Sequence, residues 1–218
     1  MYGMDTQKHS IIIIDDHPII HDGLKILLES EEALSIDAFA SSAEEAMNAL
    51  SGVNVDLAII DLSLGDSDGT YLIQKIHSLY PKIRILVYSM SEEKLFGERV
   101  ATAGARGYVM KTSSPSILKE AIYALLDGKL FFSSTIKERI LQKEIGRSTG
   151  SESILDNLSN REMDVFKLVG QGLDTTTIGT KLNISRNTVD THRINIKNKL
   201  ELENGKALDR FEIGRAHV

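Results

Sequence analysis

The sequence predicts an α/β domain with a doubly wound, five-stranded parallel sheet, followed by a smaller all-α domain. In the first 127 residues, short apolar runs alternate with longer amphipathic stretches. This alternation is typical of a parallel sheet that is covered by helices on both faces. The predicted strands are 10–14, 35–40, 55–60, 83–88 and 107–110. The predicted helices lie near 18–30, 43–51, 69–79, 92–103 and 115–127.

The rest of the chain has no strand pattern. We expect a first domain at 9–127, then a linker at 128–153 that carries a short helix from Ser133 and ends in a Gly/Ser-rich stretch. A second domain at 154–212 has helical patterns at 159–171, 175–182 and 186–200. Residues 213–218 match a translated reading frame of a common sequencing adapter, so we expect this tail to be non-native.

Charge and composition limit the class of protein. The net charge is −6, and it divides into −9 for residues 1–127, +3 for 128–149 and zero for 150–218, which indicates two domains with different partners. The chain has no cysteine, which excludes disulfides and thiolate chemistry and suits the cytoplasm. The longest apolar runs are too short to span a bilayer, and the N-terminus lacks a signal-peptide pattern. We therefore expect a cytoplasmic protein that does not bind membranes.

Chemically active side chains follow four of the five predicted strands. Asp15 and Asp16 follow the first strand, Asp61 the third, Ser89 the fourth and Lys111 the fifth. In such sheets, ligands bind at the carboxyl ends of the strands. Converging carboxylates repel one another unless a cation lies among them, and Mg²⁺ prefers oxygen ligands. Each residue alone could be a turn residue, a helix cap or a solvated lysine. Together they predict a phosphoryl-transfer site with Asp61 as the nucleophile.

These residues resemble the receiver domain of response regulators, which has a chemotaxis-protein-like fold, over residues 9–127. The resemblance implies that Asp61 accepts a phosphoryl group from the phosphohistidine of a sensor histidine kinase. It also implies a Mg²⁺ site formed by Asp15, Asp16, Asp61 and the backbone carbonyl of Ser63.

The same resemblance gives Ser89 and Lys111 the role of contacting the phosphoryl oxygens. Tyr108 matches the aromatic switch position, whose ring swings inward when the hydroxyl moves. The alternative is that Tyr108 is a half-buried strand tyrosine. Gly65 departs from the family pattern, in which proline is common four residues after the acceptor. We therefore expect an altered phosphorylation lifetime.

The helical domain contains a candidate recognition helix. Ser159 and Glu162 form a predicted capping box at the first helix, and Ser185 is a predicted cap of the third. Helical periodicity places Val189 on a buried face of the third helix with Ile196 and Leu200. The opposite face carries Asp190, Thr191, Ile194, Asn195 and Asn198. Residues 181–199 carry a net charge of +4. This pattern fits either a nucleic-acid recognition helix or an ordinary amphipathic helix.

Residues 158–208 resemble the four-helix DNA-binding domain of the LuxR family, found in response regulators of the NarL/FixJ type. The matching residues are Leu158, Arg161, Glu162, Gly172, Ile178, Leu182, Ile184, Ser185, Thr188, Val189, Thr191, His192, Lys199 and Leu200. The implied DNA contacts are Arg186, Asn187, Thr188, Asp190, Thr191, Ile194, Asn195, Lys197 and Lys199. Asp190 and Ile194 depart from the family pattern, in which lysine is frequent at both positions.

The remaining features complete the prediction. A fourth helix from about residue 203 is expected to support dimerisation through Ala207, Leu208 and Phe211. His192 is interpreted as a packed structural residue, and His9, His17 and His21 show no metal-ligand spacing with one another.

The two resemblances together predict a DNA-binding transcriptional regulator, not an enzyme, whose partners are a sensor histidine kinase and double-stranded DNA. The family implies a homodimer when the protein is phosphorylated. The alternative is a phospho-receiver that does not bind DNA and acts through protein–protein interaction or as a phosphate sink.

Overall fold

The computed structural model describes residues 8–64, 67–144 and 154–200. The chain divides into two compact units, 1–148 and 149–218. Four predicted features lie outside the described residues: the loop glycine Gly65, the Gly/Ser-rich stretch, the fourth helix of the second domain, and the tail at 213–218. Within the described residues, no helix is both long enough and apolar enough to cross a membrane.

The first unit contains a five-stranded parallel sheet. Its strands are β1 (His9–Ile14), β2 (Leu34–Ala40), β3 (Leu57–Ile60), β6 (Arg84–Ser89) and β7 (Gly107–Met110). They lie side by side in the order β2-β1-β3-β6-β7. The predicted parallel sheet is confirmed, and strand boundaries differ from the predicted ones by at most two residues. One feature was not predicted: β4 (Ser63–Leu64) and β5 (Ser67–Asp68) form a short antiparallel ladder directly after β3.

Helices pack against both faces of the sheet. They are α1 (Pro18–Glu29), α2 (Ala43–Leu50), α3 (Gly69–Leu79), α4 (Glu93–Ala103) and α5 (Pro115–Leu126). A sixth helix, α6 (Ser134–Glu144), packs on α4. Alternate strand residues such as Ile11 and Ile13 pack with Leu24 of α1 and Ile122 of α5 in one buried cluster. Because successive strand side chains point to opposite faces, Ile12 and Ile14 lie on the other face of the sheet.

Helix α6 packs against the first unit, although the sequence assigned its residues to a linker. Ile136 is 1% exposed, and its side chain fills the space beside Gly97 of α4, where an added Cβ would lie 3.0 Å from Ile136 Cγ1. The Ser133 N–H donates to the Glu93 carboxylate over 2.8 Å. Residue Phe131 pairs with β7, because the Tyr108 N–H donates to the Phe131 carbonyl over 2.8 Å. Residues 131–136 therefore take part in the packing of the first unit.

The second unit contains three α-helices in its described part, as predicted. A 3₁₀ turn (Ile154–Asn157) precedes α7 (Asn160–Gly170), α8 (Thr175–Leu182) and α9 (Arg186–Lys199). Ser159 and Glu162 form the predicted capping box at α7, and the Ser185 side chain caps α9 by accepting from the Thr188 N–H. Asp174 caps α8 in the same way.

The predicted buried face of α9 is confirmed. Val189 and Ile196 are fully buried, and Leu200 is 6% exposed. Helices α7 and α8 both pack against α9. The core of this unit therefore fixes which face of α9 is left to solvent.

Candidate functional site

The carboxyl end of the sheet carries a buried cluster of opposite charges. Asp15 follows β1 and is 2% exposed, and Asp61 follows β3 and is 3% exposed. The Lys111 ammonium, which follows β7, lies 2.6 Å from Asp15 Oδ2 and 2.7 Å from Asp61 Oδ2. One lysine therefore bridges two acids that come from different strands. The parallel sheet brings them together because its strands all end at the same edge.

Burial and charge set the acid–base properties of this cluster. Burial raises the pKa of Asp61 above its usual range, and the neighbouring Asp15 acts in the same direction while Lys111 opposes both. Burial lowers the pKa of Lys111, but the ion pairs with Asp61 and Asp15 outweigh it and the net pKa is raised. Lys111 is therefore a permanent cation in this pocket.

Polar groups from the following loops also contact Asp61. The Ser63 N–H donates to Asp61 Oδ1 over 3.3 Å. Ser89 is buried at the end of β6, and its hydroxyl acts with Lys111 to lower the pKa of Asp61 against the larger effect of burial. The Ser91 N–H donates to the Ser89 hydroxyl oxygen over 3.3 Å. Donors from two separate segments, Ser63 and Lys111, therefore converge on the Asp61 carboxylate, and Ser89 lies at the end of a third.

His17 also belongs to the acid cluster, which the sequence analysis did not foresee. Its backbone N–H donates to Asp15 Oδ1 over 2.9 Å, and its Nδ1 lies 3.1 Å from the same oxygen and 2.8 Å from Asp16 Oδ1. The spacing of His17 to the other histidines carries no sign of this contact. The signal that could have found it is its position immediately after the acid pair.

The acid cluster fits a divalent cation. Asp15, Asp16, His17 and Asp61 each offer one ligand atom, and these atoms all lie within 4.8 Å of one another. Three carboxylates against the single Lys111 ammonium leave an excess of negative charge in a mostly buried pocket. Carboxylate oxygens are the ligands that hard cations such as Mg²⁺ prefer.

Tyr108 of β7 lies inside the fold, next to the same end of the sheet. It is 4% exposed, so it is more deeply buried than the half-buried strand tyrosine of the alternative interpretation. Its hydroxyl donates to the Ser91 carbonyl over 2.9 Å. Ser91 directly precedes Glu92, the last residue before the first turn of α4. The tyrosine ring thus connects β7 to the start of α4.

In the second unit, α9 exposes a polar face. The residues that the sequence placed on this face, Asp190, Thr191, Ile194, Asn195 and Asn198, are all exposed. Arg186 and Asn187 are exposed as well, whereas Thr188 and Lys197 are partly buried. Most of the predicted DNA contacts therefore lie together on one accessible helix surface.

Lys199, another of the predicted contacts, forms an ion pair with a residue of a different helix of the domain. Its Nζ lies 2.7 Å from the carboxylate of Glu162, which is 4% exposed. Burial raises the pKa of Glu162, but hydrogen bonds from Lys199 and Ser159 outweigh this and hold the pKa below its usual value. Lys199 thus ties the end of α9 to the start of α7.

Each of the two units matches a known protein family. Residues 11–123 match the response regulator receiver domain, and residues 156–210 match the LuxR family of bacterial regulatory proteins. The chain therefore belongs to the response regulators that join a receiver to a LuxR-type helix-turn-helix domain, the NarL/FixJ type.

Relatives cover nearly the whole chain. The nitrate/nitrite response regulator protein homolog of Haemophilus influenzae is 30% identical over 195 residues, which is 89% of this chain and 91% of that protein. The regulator NarL of Escherichia coli is 28% identical over 91% of this chain and 92% of its own length. A solved structure of RcsB from Salmonella enterica serovar Typhimurium, bound to promoter rprA with the phosphomimetic BeF3-, is 28% identical with a TM-score of 0.58. It covers 94% of this chain and 98% of that one.

Proposed function

We propose that this chain is a phosphorylation-dependent, DNA-binding transcriptional regulator that acts in the cytoplasm. The observation that carries the proposal is the buried Asp61 carboxylate, which contacts the Lys111 ammonium at 2.7 Å and lies within a cluster of acids. Family membership supports the DNA-binding part of the proposal, because the LuxR-type domain is the part of related regulators that binds DNA. RcsB, for example, is described as bound to promoter DNA.

In this proposal the donor is the phosphohistidine of a sensor kinase. An oxygen of Asp61 attacks the phosphorus, so that a P–O bond forms while the P–N bond to the histidine breaks and the imidazole leaves. Ser63 orients the attacking carboxylate through its N–H. Lys111 and Ser89 then bind the phosphoryl oxygens, and the lysine neutralises part of their charge.

Mg²⁺ would be held by Asp15, Asp16, Asp61 and the Ser63 carbonyl. When bound, it would supply charge neutralisation for the phosphoryl oxygens. The chain's own residues provide the rest, since Lys111 balances two of the acids and burial excludes bulk water from Asp61. The modification of Asp61 is single-turnover signalling chemistry, so we assign the chain to regulators and not to enzymes.

The switch would use Ser89 and Tyr108. Movement of the Ser89 hydroxyl toward the phosphoryl group would change the space next to the Tyr108 ring, whose hydroxyl holds the start of α4 through Ser91. In the family, phosphorylation then favours a homodimer on paired DNA half-sites. For this chain the contacts would come from Arg186, Asn187, Thr188 and the exposed face of α9, with Lys197 beside them.

The test uses the full-length chain with Mg²⁺ and acetyl phosphate. Intact-mass spectrometry should show one added phosphoryl group in the wild type and in the control Asp37→Asn, an exposed acid, and none in Asp61→Asn. Retention on double-stranded DNA should rise with phosphorylation and fall steeply with salt. If the phosphorylated chain is not retained on any DNA, the alternative of a phosphate sink or protein-interaction regulator replaces this proposal.

A further inference from the structure

The exposed face of α9 contains an apolar group in an unusual place. Ile194 is 59% exposed, and it is the one large hydrophobic side chain left exposed among those described between residues 155 and 200. Its neighbours on the same face, Asp190, Thr191 and Asn195, are polar and exposed. The core of the domain is filled by the opposite face of the helix. Among the described residues of the domain, none therefore buries Ile194 in a way that would explain an isoleucine.

Asp190 and Ile194 are one helical turn apart and are neighbours on the helix surface. Asp190 is an acceptor-only group when ionised. Thr191 lies beside them, but its hydroxyl donates to the Asn187 carbonyl over 3.0 Å, so this hydrogen is already used within the helix. The centre of the face therefore presents an anionic acceptor next to an apolar surface, with no lysine or arginine between them.

We propose that Asp190 and Ile194 are specificity-determining residues that read a cytosine and a nearby thymine in the major groove. This inference rests on the proposed DNA-binding function. The cytosine amino group is the donor that an aspartate can accept from, and the thymine 5-methyl group is the apolar feature that an aliphatic side chain can contact. Guanine and adenine present N7 as an acceptor in the groove, which repels a carboxylate.

Helix geometry limits how far apart the two bases lie. Four residues advance roughly 6 Å along the helix axis. Successive base pairs are about 3.4 Å apart along the duplex. The cytosine and the thymine should therefore lie within about two base steps of each other. Phosphate contacts would come from cations at the edges of the face, such as Arg186 and Lys197, and not from its centre.

The first experiment selects binding sites from a random double-stranded DNA library, using the phosphorylated full-length chain. The wild type and the control Gln171→Ala, an exposed residue outside α9, should select the same cytosine-containing half-site. Asp190→Asn should replace that cytosine by adenine, because an amide binds adenine bidentately. The wild type should prefer cytosine over the other bases at this position by roughly 5- to 150-fold. Asp190→Ala should lose this preference and keep the preferences at all other positions.

The second experiment pairs Ile194→Ala with a change in the DNA. Replacing the contacted thymine by uracil removes only the 5-methyl group. The wild type should lose about 4-fold in affinity, the value for one buried methyl-sized group. The Ile194→Ala variant should bind the thymine and uracil sites equally. Because both residues are exposed, the variants should keep the wild-type circular dichroism spectrum and melting temperature.

The outcomes separate the two proposals. If the wild type selects a defined site but Asp190→Asn and Ile194→Ala leave every base preference unchanged, this inference is wrong while the proposed DNA-binding function stands. The same conclusion follows if Ile194→Ala keeps the full penalty for uracil. If no DNA is enriched at all by the phosphorylated wild type, the proposed function fails and this inference fails with it.

Discussion

Replacement of Lys111 by methionine tests the electrostatics of the phosphoacceptor pocket. The lysine side chain is 5% exposed and lies between the buried carboxylates of Asp15 and Asp61. Breaking a buried ion pair costs about 3–5 kcal/mol, because the remaining charge is left buried without a partner. One ammonium here serves two acids. In the presence of EDTA, we therefore expect Lys111→Met to lower the free energy of unfolding of the receiver by about 3–5 kcal/mol.

A divalent cation should repair most of this loss. Without the lysine, the cluster of Asp15, Asp16 and Asp61 carries more negative charge and should bind Mg²⁺ more tightly than the wild type does. A ligand that binds only the native state stabilises it by about 2.7 kcal/mol at a concentration of 100 times Kd. The difference between variant and wild type should therefore shrink by about 1–3 kcal/mol in saturating Mg²⁺.

The assay is urea unfolding of the full-length chain, followed by far-ultraviolet circular dichroism in EDTA and in Mg²⁺. The matched control is Lys129→Met, because Lys129 makes an exposed ion pair with Asp127 at 3.2 Å, with side chains 71% and 66% exposed. The control should match the wild type in both buffers. A loss in Lys111→Met that is the same with and without Mg²⁺, or no loss at all, would refute the reasoning.

Three further predictions concern packing and pH. Gly69→Ala should destabilise the receiver by about 1–3 kcal/mol and slow phosphorylation in the mass assay, because the new Cβ would lie 2.9 Å from the Asp61 carbonyl oxygen. Ile136→Ala should cost about 2–5 kcal/mol in urea unfolding, whereas Leu141→Ala, at a residue 55% exposed, should change nothing. Glu162→Gln should make the melting temperature less dependent on pH on the acid side. In the wild type, ionised Glu162 makes its full contribution to the free energy of unfolding above pH 4.5, and this contribution is lost as the pH falls through the lowered pKa of the native state. If the variant has the same pH profile as the wild type, this reasoning is wrong.

The sequence predicted the site better than it predicted the contacts within it. Asp15, Asp61, Ser89 and Lys111 could be assigned to one location, because a parallel sheet ends all its strands at the same edge. The distances could not be predicted, since they depend on how far each side chain reaches across the strands. The bridging position of Lys111 between two acids is therefore a result of the structure.

The recognition helix shows the same limit. Helical periodicity correctly separated the buried Val189 face from the exposed face that carries Asp190 and Ile194. Periodicity describes one helix and contains no information on which residue of another helix lies beside it. Lys199 illustrates this, because the sequence placed it among the DNA contacts, whereas the structure pairs it with Glu162 of α7.

By itself, the sequence determined the order of strands and helices, the acids at the strand ends and the caps of α7 and α9. Each of these depends on residues that are near one another in the chain or on a general property of parallel sheets. Only the tertiary structure decided that α6 packs on α4 through Ile136, and that a single buried lysine at position 111 holds Asp15 and Asp61 together. These contacts join residues that are distant in sequence, so their partners are chosen by the packing of the whole domain.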